Sequence, residues 1–172
     1  MYTAQPGQEI VVPLKTAAPA TSDPRTVPVA VHLVAVVPST TRSPAAHATI
    51  LAYSANCWSG NGAKAWFTNA FGTTLGSHEL NVSFSADTWN NIVTGYSRTT
   101  DHWYANTGLF WYYNSRLDQN TNIDRQAATA VSTIHFTGPA FQTENVEVAV
   151  DMHGDCSSDY RWYVFSGEAQ IK

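Results

Sequence analysis

Two stretches of this chain alternate apolar and polar residues with a period of two, and that pattern constrains the fold more than any other feature. In residues 145–153, Val146, Val148, Val150 and Met152 fall on one side, while Glu147, Asp151 and His153 face the other way. In residues 78–84, Leu80, Val82 and Phe84 oppose Glu79, Asn81 and Ser83. Successive side chains of a strand point to opposite faces, so both stretches read as half-buried antiparallel strands. Further β-prone runs lie at 27–37, 47–54, 64–68 and 160–171. In the first of these, Val31, Leu33 and Ala35 share one side, and Ala30, Val34 and Val36 share the other. That distribution predicts a strand buried on both faces.

Between these runs, residues 56–62 carry Gly60 and Gly62 and read as a turn cluster, 71–76 as a loop, and 154–159 as a hairpin or corner. Residues 122–132 are rich in alanine; Ile123, Ala127 and Val131 fit one short helix as well as they fit a further strand. No repeat of 20–50 residues recurs, and the serial amphipathic helices of an α/β enzyme are missing. The expected fold is all-β: an antiparallel β-sandwich, jelly-roll or immunoglobulin-like, with about eight or nine strands and at most one short helix.

Five of the eight prolines fall in the first 28 residues. This density predicts an extended N-terminal arm over 1–25, followed by a sandwich domain over 26–172. Within the arm, Ile10, Val11, Val12 and Leu14 form a β-prone segment that Pro13 confines to a sheet edge. Such a segment docks on the body or, in an assembly, on a neighbouring subunit.

Composition narrows the function classes. Charged residues make up 13% of the chain, about half the ~25% usual for globular proteins. Aromatics reach 12% and the formal net charge is −4, so the chain has ample apolar surface to fold around. Lys and Arg form no cluster, which argues against nucleic acid as a partner. No run approaches the ~18–20 apolar residues of a transmembrane segment. No basic-then-apolar leader follows Met1; the expectation is that a leader was removed or that export needs none. Two cysteines, Cys57 and Cys156, belong to no C-x-x-C pair, so zinc and thioredoxin-like chemistry lack support. A disulfide between them fits the low-charge, Thr-, Ser- and Asn-rich composition, and places the protein on an extracellular or virion surface.

The densest chemical feature is aromatic. Trp89, Tyr96, Trp103, Tyr104, Phe110, Trp111, Tyr112 and Tyr113 are interleaved with amides and carboxylates. Consecutive rings at 103–104 and 110–113 exceed what one inward strand face accepts, so part of the set belongs at the surface. Trp103, Tyr104, Trp111 and Tyr113 are the expected ligand- or interface-binding residues, with Asp101, Asn106 and Asn114 as hydrogen-bonding neighbours. Asp151, His153, Asp155 and Asp159 form an acidic group that reads as a solvated turn, lacking the spacing of a calcium loop. Asn81-Val-Ser83 satisfies the N-glycosylation rule on a polar face.

No nucleophile motif, metal-ligand spacing or phosphate loop appears, so no catalytic residue, metal or cofactor is assigned and the chain is read as no enzyme. The function expected is a non-catalytic structural or recognition domain displayed on a surface. Its partners would be protein subunits, in a homo-oligomer or larger assembly, or a glycan. Its rivals are a carbohydrate-binding module, a small secreted hydrolase and a membrane-active pore-forming toxin.

Overall fold

The computed structural model describes residues 2–3, 7–14, 22–36, 56–123, 126–166 and 169–170. Its strands are β1 (Tyr2–Thr3), β2 (Glu9–Pro13), β3 (Ala30–Val36), β4 (Asn56–Thr68), β5 (Thr74–Asp87), β6 (Ile92–Ala105), β7 (Tyr112–Ile123), β8 (Ala127–Thr137), β9 (Thr143–His153), β10 (Ser158–Ser166) and β11 (Ala169–Gln170). Two short 3-10 turns, Thr107–Leu109 and Pro139–Phe141, are the helical elements among the described residues.

All pairings are antiparallel. One sheet has the order β2-β3-β4-β5-β6; the other runs β7-β8-β9-β10, with the two-residue strands β1 and β11 both pairing with β10. The sandwich expected from the sequence is therefore the fold. The connections differ from the jelly-roll or immunoglobulin-like expectation, because the long strands of each sheet form a meander of neighbours, with the two-residue β1 the exception on β10. After β1 the chain enters the five-stranded sheet at β2, completes it, and crosses back at 106–111. Greek keys need long returns across the sandwich, whereas the turns at 69–73, 88–91 and 154–157 are short hairpins that keep successive strands side by side.

Inward side chains alternate as the period-two pattern requires. Leu80, Val82, Phe84 and Ala86 of β5 meet Val146, Val148, Val150 and Met152 of β9 in one core that also holds Phe67, Phe136, Trp111 and Trp162. In β3, Val31, Leu33 and Ala35 are buried, but Ala30, His32, Val34 and Val36 remain partly exposed. This strand is covered on one face, not two, because its second face is the outside of the sandwich.

Residues 56–62 continue β4 instead of turning. Gly62 earns its place there because a Cβ would sit 1.8 Å from Asn81 Oδ1 on the neighbouring strand. Residues 127–132 belong to β8, with Ala128, Ala130 and Ser132 pointing inward, so the second of the two readings holds there. β2 pairs along its own chain's β3, and Val12 and Leu14 enter the core. The β-prone run at 47–54 lies outside the described residues.

Cys57, at the start of β4, and Cys156, in the β9–β10 turn, form a disulfide between the two sheets, with Cα atoms 6.2 Å apart. Beside it, Gly154 packs so closely on the Asn91 backbone that a Cβ would lie 2.2 Å from the Asn91 carbonyl carbon.

Candidate functional site: the β6–β7 corner

β6 and β7 end their respective sheets on the same side of the sandwich. Each carries two register shifts where an extra residue bulges out of the ladder. Bulged edges resist further strand pairing, which leaves side chains to make this surface.

Across the gap between the two edges, Trp103 of β6 stacks on Tyr113 of β7, with ring centroids 4.6 Å apart and planes 25° apart. The Arg116 guanidinium lies 5.4 Å from the Trp103 centroid, within cation–π range. Tyr104 lies one residue on from Trp103 and so faces the outside of the five-stranded sheet, opposite Ser77. Tyr112 likewise faces the outside of the other sheet, opposite Thr137. Phe110, in the crossover, adopts a left-handed backbone with φ 62° and is 61% exposed. Trp103, Tyr104, Tyr112 and Tyr113 are 42%, 50%, 49% and 37% exposed.

Trp111 does not join them. It is fully buried, donates its indole N–H to the Thr26 carbonyl at 2.9 Å, and packs edge-on against Phe67. Its ring fills the space beside Gly138, where a Cβ would lie 2.6 Å away. The left-handed turn at Phe110 breaks the alternation and directs this one ring inward. Trp111 is core, and the expectation that it lies on the binding surface is corrected.

Asp101 is also not a surface group. Its side chain is 9% exposed and lies beneath the aromatic pair as a junction of four strands. Oδ1 accepts from the Ser132 hydroxyl at 3.0 Å and lies 3.0 Å from His78 Nε2. Oδ2 accepts from Arg98 and Gln119 at 3.1 Å each, with Arg116 at 3.4 Å. Burial pushes its carboxyl up, but the hydrogen bond and charge of His78, the Ser132 hydroxyl and the Arg116 charge outweigh that and hold the pKa at about 2. His78, completely buried, also places Nδ1 3.1 Å from the Val146 carbonyl. Buried charges require this degree of pairing. The sequence placed Asp101 near the right rings but gave it the role of orienting a ligand. Its partners use both carboxylate oxygens.

Asn106 shapes the crossover: its amide donates to the Thr74 carbonyl at 3.1 Å, and its own carbonyl accepts from Leu109 and Trp111. Asn114 is the extra residue of the first β7 bulge and is exposed. Arg116, which the sequence reading missed, braces the Trp103 ring; bulged register, invisible in one strand's pattern, is what brings it there. In the acidic group, Arg161 and Thr129 bind Asp151, Asp155 accepts from Ser157, and His153 lies 3.1 Å from Asp159. Among the described residues no three His, Cys, Asp or Glu side chains come together as a metal cage.

Compared with known proteins, the chain matches no family model, no curated sequence and no solved structure. Among the described residues no helix is long and apolar enough to cross a membrane. Fold and site together define a disulfide-linked, two-sheet β-sandwich with an aromatic corner.

Proposed function

We propose that this protein is a non-catalytic structural and recognition domain, displayed on an extracellular or virion surface, that docks onto other copies of itself through the β6–β7 corner. The observation that carries the reading is the exposure of five rings, Trp103, Tyr104, Phe110, Tyr112 and Tyr113, within residues 103–113. Trp and Tyr concentrate binding energy at protein interfaces. Tyr104 and Tyr112 stand on the outer faces of different sheets with the Trp103–Tyr113 stack between them. The rings thus run from the outer face of one sheet, round the paired edges, to the outer face of the other, a band of aromatic surface that suits contact with a protein subunit. Stacking and the Arg116 brace hold two of the rings in place, so little side-chain entropy remains to be lost on docking. The disulfide suits an oxidising compartment.

Light scattering over a concentration series tests the reading. The wild-type chain is expected to form a defined oligomer, and the Phe110→Ala/Tyr112→Ala variant to remain monomeric with an unchanged fold. A wild-type chain that stays monomeric, or an oligomer indifferent to these substitutions, overturns it.

A further inference from the structure

A second surface, on the outer face of the five-stranded sheet, has the makings of a small-ligand site. One row of side chains crosses all five strands in register: Val11, His32, Trp66, Ser77 and Tyr104. His32 stacks on Trp66 with centroids 5.0 Å apart and planes 6° apart. Since β3 and β5 flank β4 on opposite sides, His32 covers one indole face and leaves the other turned towards β5. The register places Ser77 there, a side chain too short to fill the space. One strand further on stands Tyr104, 50% exposed. Two strand spacings of about 4.8 Å set the backbones at Trp66 and Tyr104 roughly 10 Å apart. The result is a slot with aromatic walls and a serine floor.

The adjoining row closes one end. Lys64 places its ammonium 5.9 Å from the Trp66 centroid and 3.6 Å from Glu79 Oε2. The other Glu79 oxygen accepts from Asn81 at 2.8 Å. His102, directly opposite Glu79 on β6, is exposed. Glu9 Oε1 lies 2.6 Å from His32 Nδ1 behind the Trp66 wall. Both carboxylates beside the slot, Glu9 and Glu79, thus sit against a basic side chain, and Lys64 against a carboxylate. That balance leaves no surplus cation for a phosphate or sulfate. What surrounds the slot is hydroxyl, amide, imidazole and carboxylate, which together donate to and accept from hydroxyl groups.

We propose that this slot binds one ring of a neutral oligosaccharide. The C–H faces of a pyranose lie against the electron-rich faces of Trp66 and Tyr104, and its hydroxyls reach Ser77, Glu79 and His102. The site is separate from the corner except at Tyr104, so its test uses Trp66 and Ser77 and succeeds or fails independently of subunit docking.

Titration calorimetry against cello-, xylo-, manno- and chitohexaose, with a sulfated oligosaccharide alongside, provides that test. At least one neutral probe is expected to bind. Trp66→Ala, which removes a wall, and Ser77→Tyr, which fills the slot with a β-compatible residue, are each expected to weaken binding tenfold or more. Tyr112→Ala is expected to leave it unchanged. Circular dichroism and the melting temperature establish that both slot variants are folded; if Trp66→Ala is not, Ser77→Tyr decides. Failure of all neutral probes, preference for the sulfated one, or binding indifferent to the slot variants overturns the proposal.

Discussion

His78 Nε2 and Asp101 Oδ1 lie 3.0 Å apart between the two sheets, joining a fully buried imidazole of β5 to a carboxylate of the β6 edge. The Asp101 pKa falls from its ordinary 3.8 to about 2 in the folded chain. The carboxylate therefore stabilises the fold above about pH 4, and this contribution is lost as the pH falls towards 2. A shift of this size corresponds to about 2 kcal/mol. Denaturant titrations between pH 6 and 2 should show that slope in the wild type and a flatter one in Asp101→Asn. At neutral pH Asp101→Ala should cost about 3–5 kcal/mol, since it strands the cations grouped around it.

At the alkaline end, Tyr160 gives the opposite limb. Burial, aided by the nearby Asp159 charge, raises its phenol to about 12, and the hydroxyl donates to Asn61 Oδ1 at 2.9 Å. A raised acid pKa stabilises the fold below pH 10 and loses that effect as the pH climbs towards 12. Tyr160→Phe should remove this alkaline slope in the same titrations.

Neighbouring aromatics should respond very differently to truncation. Trp111→Ala empties a buried site and should cost about 3–5 kcal/mol. Tyr112→Ala, exposed on the adjacent residue, should fall within about 0.5 kcal/mol of wild type when both are melted as monomers at low concentration. Gly138→Ala should destabilise by about 1–3 kcal/mol, because its methyl would press into the Trp111 ring. Thermal melts of the three variants check this order.

How much of this was legible from residue order depends on the range of the signal. The alternation in 78–84 and 145–153 reports burial strand by strand, and the strands formed as read. Ala128, Ala130 and Ser132 point inward from β8, yet small side chains give a faint period of two, so the segment fitted a helix equally well. Crowding at 110–113 correctly implied that some rings are exposed. It did not single out Trp111, because the backbone sign at Phe110 selects the buried one. The row from His32 to Tyr104 depends on registers across three strand pairings, two of them with bulges or irregularities. No single stretch of sequence contains that information.

Loss of the Cys57–Cys156 bridge should lower stability by about 2–5 kcal/mol while the meanders remain paired. Denaturation of the Cys57→Ala/Cys156→Ala variant measures the change. Alkylation of the unfolded wild type without reductant should label neither cysteine.

The crossover at 106–111 has a consequence for proteolysis. Residues 9–105 build one sheet and 112–166 supply the four long strands of the other. A protease that nicks the exposed Thr107-Gly108 bond would cut no hairpin, and the short β1–β10 pair would still join the two fragments at a sheet edge. The two fragments would stay tethered through Cys57 and Cys156 at the far end of the sandwich. The nicked protein would migrate as one species until reduced, and then as two. In the compartment where it works, this single polypeptide could pass for a two-chain protein.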